Sequence, residues 1–164
     1  MKILFICTHN RCRSILAEAI ARHFGEGLIQ ALSAGSQPAD TVHPLTLAHL
    51  EKHGVPTAGL HSKSWHDCEY FEPDVVITVC DDAAGEACPL WFGKAAVIHW
   101  GLPDPSRIAG DPAARPDAIE AAFNNTIGLL KYRILTLRGW LAAGRTLVDM
   151  EHDLRKMGAV HGNF

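Results

Sequence analysis

One hundred and sixty-four residues suit one ordinary domain, long enough to bury a core without help from disulfides or metals. With 48% hydrophobic and 20% charged residues and a mean hydropathy of +0.04, the composition excludes a disordered or membrane-embedded chain. Fifteen Lys plus Arg against eighteen Asp plus Glu give a formal charge of -3, which argues against a nucleic-acid partner held by phosphate neutralisation but allows a small anion in a local basic pocket. No apolar run approaches the roughly 20 residues a bilayer demands, and the start has no signal-peptide layout. A cytoplasmic protein without a membrane partner is expected.

The chain opens with Lys2 to Cys7, an apolar run that reads as a buried strand ending at a polar loop. Leu16, Ile20 and Phe24 then recur every four residues, which predicts a helix from about Ser14 to Phe24 with Ser14 as its N-cap and Gly25 as its stop. Leu28 to Ser33 reads as a second strand closed by Ala34 and Gly35, and His43 to His53 as a second helix closed by Gly54. Asp74 to Val79 and Ala95 to Trp100 are the third and fourth strands. This order predicts an α/β fold with a parallel sheet. Pro103 to Pro116 reads as a loop. Ile119, Phe123, Ile127, Leu130, Ile134, Leu137 and Leu141 advance by fours and threes, the mark of one long amphipathic helix. Beyond Gly144, the spacing of Leu147, Met150, Leu154 and Met157 predicts a last helix docked on its own domain.

Residues 7–14 join the first strand to the first helix, where parallel α/β sheets place ligands. Backbone N–H groups of such a loop and of the helix N-terminus favour a tetrahedral oxyanion, and Arg13 adds a planar fork of donors. The same field is expected to lower the Cys7 pKa and make it a nucleophilic thiolate. Five cysteines, Cys7, Cys12, Cys68, Cys80 and Cys88, are an odd number, and in a reducing cytoplasm they suit catalysis or metal binding rather than a structural framework.

Cys7, Arg13 and Ser14 resemble the C-x5-R-S phosphate loop of low-molecular-weight protein tyrosine phosphatases and of the arsenate reductases built on that fold. The resemblance runs from about residue 1 to residue 140. It implies a four-stranded parallel sheet with helices on both faces, flavodoxin-like, over residues 1–143, with 144–164 as a C-terminal extension of the same domain. It also implies that Cys7 attacks the oxyanion, that Arg13 binds its oxygens and that Ser14 stabilises the thiolate. Thr8, His9, Asn10, Arg11, Cys12 and Arg13 would surround the anion, with Asn10 holding the loop's shape. His9 stands where many members carry Gly, a bulkier residue at a bend.

Cys80 ends the third strand, at the same sheet edge as Cys7, and Cys88 follows eight positions later. Residues 79–89, together with 99–106, resemble the proteobacterial branch of the thiol-coupled arsenate reductases, which implies a role in arsenic resistance. By that resemblance Cys80 attacks the Cys7-arsenic adduct and Cys88 resolves the resulting disulfide. The segment between them is expected to be ordered or partly helical when reduced, with Cys88 held away from Cys80, and looped out when oxidised. A zinc site using Cys80, Cys88 and His99 or His66 is disfavoured by the spacing, so neither metal nor cofactor is expected. Asp104, of the Asp104-Pro105 pair, is the implied general acid and also suits an Asx turn.

Aromatic residues that hold a phosphotyrosine ring in the phosphatases are replaced after this pair by Ser106 and Arg107, which leaves Trp65, Trp91 and Trp100 as the candidates for such a wall. Glu18 and Ser33 match positions that help hold potassium in some arsenate reductases. Ser62 and Ser64 stand where those members use Thr and Asp, which weakens a cation site. The expected partners are arsenate, with phosphate or sulfate competing, and either thioredoxin or glutaredoxin with glutathione. A phosphotyrosine phosphatase and a non-enzymatic oxyanion-binding or redox-sensing module are the alternatives. Cys12, Cys68 and the histidines at 43, 49, 53, 61 and 66 receive no catalytic role.

Overall fold

The computed structural model describes residues 1–80, 83, 85, 89 and 92–160. Strands β1 (Lys2–Ile6), β2 (Gln30–Ala34), β3 (Val75–Thr78) and β4 (Ala96–His99) form a parallel sheet in the order β2-β1-β3-β4. The order explains the sequence pattern. The two central strands are covered on both faces and read as unbroken apolar runs, Ile3 to Ile6 and Val75 to Ile77, all buried. Edge strand β4 instead alternates, with Ile98 buried between the exposed Val97 and His99.

Helices α1 (Arg13–Phe24) and α2 (Pro44–Lys52) follow β1 and β2, and a 3₁₀ helix spans Trp65–Phe71. Three more helices come after β4: α3 (Pro105–Ala109), α4 (Pro116–Ala142) and α5 (Leu147–Gly158). The predicted stripe of α4 buries Phe123, Ile127, Leu130, Ile134 and Leu137, and α4 packs along α1. No helix among the described residues is long and apolar enough to cross a membrane.

Two local expectations need correction. Ser14 is not the N-cap of α1; Cys12 holds that position with no side-chain cap, and Ser14 is buried one residue inside the helix. The segment 103–116 is not wholly loop. Asp104 accepts a hydrogen bond from the Ser106 N–H and so caps α3, with Pro105 at its first position.

The final helix docks as expected. It begins with a reciprocal capping box, in which Thr146 Oγ accepts from the Asp149 N–H and Asp149 accepts from the Thr146 N–H. It buries Met150, Leu154 and Met157, each contributing roughly 1.5–3 kcal/mol by removal from water. Trp100, fully buried beneath it, donates Nε1–H to the Leu154 carbonyl at 3.0 Å. Gly158 lies so close that a Cβ there would sit 2.8 Å from Trp100 Cδ1 and overlap the His99 carbonyl. Arg133 of α4, also fully buried, lies over the Trp100 ring and donates to the carbonyls of Gly158 and Val160.

Candidate active site

The β1–β3 register places Ile6 beside Thr78. The pairing continues past both strands, with the Val79 N–H donating to the Ile6 carbonyl at 2.9 Å. Cys7 and Cys80 therefore leave neighbouring strand ends together, and both are buried free thiols. Residues 7–12 then turn into α1. Their carbonyls are bonded outward: Thr8 accepts from Gln37 N, His9 from Ala39 N and Ser62 Oγ, and Arg11 from His43 N and Thr46 Oγ1. The Cys12 carbonyl accepts from Leu16 N within α1. Carbonyls directed outward leave the amide side of the loop for an anion. The first turn of α1 has neither a capping side chain nor an acidic residue to compete with an anion for its dipole.

Asn10 fixes the bend. It is fully buried with φ 45°, a left-handed conformation that Asn tolerates better than most residues. The positive φ falls here and not on His9, so the bulk of His9 costs the bend nothing, and its Nδ1 reaches the Gln37 carbonyl at 3.0 Å. Asn10 Nδ2 donates to Ser14 Oγ (2.8 Å) and Ser33 Oγ (2.9 Å), while Oδ1 accepts from the Lys63 N–H (2.9 Å). Ser14 thus meets Asn10 through its hydroxyl oxygen, and the groups acting on the Cys7 sulfur are Cys80, Arg13 and the His9 N–H. Gly35 lets β2 pass against the loop: a Cβ there would lie 2.7 Å from the Cys7 carbonyl and overlap that of Thr8.

Arg13 spans the mouth, donating from Nη1 to the Leu102 carbonyl (3.2 Å) and from Nη2 to Asp104 Oδ2 (3.4 Å). The other Asp104 oxygen accepts from Ser106 N and Oγ. A cavity of about 330 Å³ joins these groups; Cys7, His9, Arg11, Arg13, Asp104 and Arg107 are among those lining it. A larger cavity of about 540 Å³, between β4 and α5, contains neither Cys7 nor Cys80. Among the described residues no Phe, Tyr or Trp lines the cavity at Cys7. Trp100 is buried under α5 and Trp65 packs edge-on against Phe92, so neither forms a wall for a phosphotyrosine ring; Trp91 lies outside the described residues.

The electrostatics overturn one expectation. Cys7 is not the thiol whose pKa falls. Its hydrogen bond to Cys80, its burial and the Cys80 charge push it up, against the opposing pull of Arg13 and the His9 N–H. Cys80 is pulled down to about 5, first by the Cys7 hydrogen bond and then by donors from Ala83 N, Thr8 N and Thr8 Oγ1. Two sulfurs with one proton between them cannot both be anionic at low cost, and Cys80 has more donors. The loop field alone could not reveal this, because Cys80 lies 73 positions from Cys7 in the chain.

Burial pushes Cys12 up to about 11, and Cys68 likewise, so neither is a ready thiolate. Cys88 and most of the segment joining it to Cys80 lie outside the described residues. Among the described residues no group of three or more His, Cys, Asp or Glu side chains is arranged to hold a metal. His49 stacks on Phe123 at 4.3 Å within the core, and His43 caps α2. Sequence reasoning missed Lys63, whose ammonium lies 3.2 Å from Glu18 Oε1, as well as the His43 and Thr46 braces on the Arg11 carbonyl. Lys63 left no local signal, since its partners are far away in sequence.

The comparisons agree with this geometry. The glutaredoxin arsenate reductase of Synechocystis is 33% identical over 104 residues, covering 63% of this chain and 78% of that protein. A solved structure described as an arsenate reductase in the phosphate binding state superposes with a TM-score of 0.66 at 27% identity, over 84% of this chain and 96% of that one. The thioredoxin-dependent arsenate reductase of Corynebacterium glutamicum gives a TM-score of 0.65 at 28% identity, over 88% of this chain and 63% of that one. Residues 2–143 match the family described as low molecular weight phosphotyrosine protein phosphatase, and the chain, with its loop from Cys7 to Ser14 and its β2-β1-β3-β4 sheet, belongs to that family.

Proposed function

We propose that this protein reduces arsenate to arsenite through a cysteine relay. The observation that carries the reading is the juxtaposition of Cys7 with Cys80, a second thiol that phosphate-ester hydrolysis does not require. The similarity to reductases named as glutaredoxin- and thioredoxin-dependent supports it.

The arsenate oxygens take the loop amides and Arg13, whose pairing with Asp104 yields to the anion. Cys7 passes its proton to Cys80 and attacks arsenic, and Asp104 protonates the departing oxygen, which leaves as water. Cys80 releases that proton to solvent water and, as thiolate, attacks the Cys7 sulfur. The S–As bond breaks with its electron pair staying on arsenic, so As(V) becomes As(III), and arsenite leaves as the Cys7–Cys80 disulfide forms. Cys88 then attacks Cys80 and frees Cys7. The Cys80–Cys88 disulfide passes to a small dithiol donor of the thioredoxin or glutaredoxin type, which suits a reducing cytoplasm.

The test is arsenate-dependent NADPH oxidation, run separately with a thioredoxin system and with glutathione plus glutaredoxin. Cys80→Ser should abolish turnover with both donors while arsenate still binds. Unimpaired reduction in that variant would sink the relay.

A further inference from the structure

Linked to the loop through Asn10 lies a charged pair that the relay does not use. Glu18 of α1 is fully buried. Its Oε1 accepts from Ser33 N (2.6 Å), Ser33 Oγ (2.9 Å) and Lys63 Nζ (3.2 Å). Arg22 Nη1 lies 3.1 Å from Oε2 without hydrogen-bonding geometry, and its side chain is 39% exposed, whereas that of Lys63 is only 10% exposed. The bonds close a ring. The Lys63 N–H donates to Asn10 Oδ1, Asn10 Nδ2 to Ser33 Oγ, Ser33 Oγ to Glu18, and the Lys63 ammonium to the same Glu18 oxygen. Lys63 therefore meets the residue that fixes the loop's left-handed bend through its main chain, and that residue's buried counter-charge through its side chain.

Some members of the superfamily hold potassium at positions matching Glu18 and Ser33, but the residues here do not fit an ion. Ser62 Oγ is turned to the His9 carbonyl and Ser64 Oγ to the His66 N–H. Glu18 Oε1 and the His61 carbonyl are both taken by the Lys63 ammonium, at 3.2 and 3.1 Å, and Glu18 Oε2 faces the Arg22 guanidinium at 3.1 Å.

We infer that Lys63 is a positioning residue that supplies the cation beside Glu18 from the chain itself, so that oxyanion binding does not depend on a monovalent metal ion. A buried carboxylate must be neutralised, and with only the half-exposed Arg22 beside it Glu18 would draw harder on its Ser33 donors and through them shift Asn10. A tethered ammonium does this at any salt composition. The inference rests on the loop's being an oxyanion site and not on the reduction step.

The experiment is titration of sulfate into the full-length wild type, Lys63→Met and Lys63→Arg proteins, in choline, sodium or potassium chloride at one ionic strength. Wild-type affinity should be the same in all three salts. Lys63→Met should bind about tenfold more weakly or worse in choline, because Glu18 loses the ammonium that balances its pull on Ser33 and Asn10, and should recover in potassium. Lys63→Arg should behave as wild type. A wild-type affinity that rises with potassium overturns the inference and keeps its force even if Lys63→Met does not fold. Unchanged affinity of Lys63→Met in choline, or a loss that potassium does not restore, overturns it as well, the latter pointing to packing rather than charge. A wild type that binds no sulfate in any salt instead overturns the oxyanion reading, and this inference with it.

Discussion

The proton between Cys7 and Cys80 makes the resting site a matched pair rather than a lone activated nucleophile. Cys80 holds the charge because Ala83 N, at 3.4 Å, Thr8 and the Cys7 thiol all donate to it. Its acidity sets the sign of the pH response. Above about pH 5 the pair carries one thiolate, and below that value both sulfurs are protonated. Thiolate absorbance in the reduced protein should therefore appear as pH rises through about 5. In Cys80→Ala that early step should vanish. Cys7 should then titrate at a lower pH than in wild type, since the hydrogen bond and charge that raised it are gone while Arg13 and the His9 N–H still lower it. A Cys7 titration left unchanged by removing Cys80 would show that burial, not the pair, governs the nucleophile.

Helix α3 does two tasks through one carboxylate. Asp104 Oδ1 caps the helix and Oδ2 faces Arg13 across the cavity. Asp104→Asn separates the tasks, because Asn caps as well as Asp but supplies no acidic proton. Arsenate turnover should fall by about 10²–10⁴, while stability to urea should change by no more than about 1 kcal/mol. Near-wild-type turnover in this variant would exclude Asp104 as the acid. This helix also marks how far the sequence could be read. Strands β1 and β3 were legible because burial on both faces leaves an unbroken apolar run, and α4 because its stripe persists over 27 residues. A five-residue helix has too few turns to show a stripe, yet its Asp-Pro cap signal was present. The Thr146-to-Asp149 capping box is likewise a local signal, a Thr followed three residues later by an acid. The ring through Glu18 and Lys63 is different in kind, since it joins residues 45 apart that no local pattern relates.

At the scale of the whole molecule, α5 seals the β4 side of the sheet. Leu154 is the centre of that seal, at 1% exposure, with its carbonyl holding Trp100. Leu154→Ala should cost about 2–5 kcal/mol and shift tryptophan fluorescence to the red, read by urea unfolding and emission spectra. A smaller loss with unshifted emission would mean that the helix is dispensable to the core. The loop at the carboxyl end of β1 is rigid for a different reason. Because the Thr8, His9 and Arg11 carbonyls are already bonded outward, the cradle is preformed and registers only negative charge and tetrahedral shape, which arsenate shares with phosphate. Admission cannot tell the two apart. On the proposed chemistry the choice is made one step later, when thiol attack meets an atom able to take two electrons. Phosphorus keeps its oxidation state there, and inorganic phosphate is a guest that enters and leaves unchanged. The flux of such an enzyme follows the ratio of the two anions in its surroundings rather than the amount of arsenate alone.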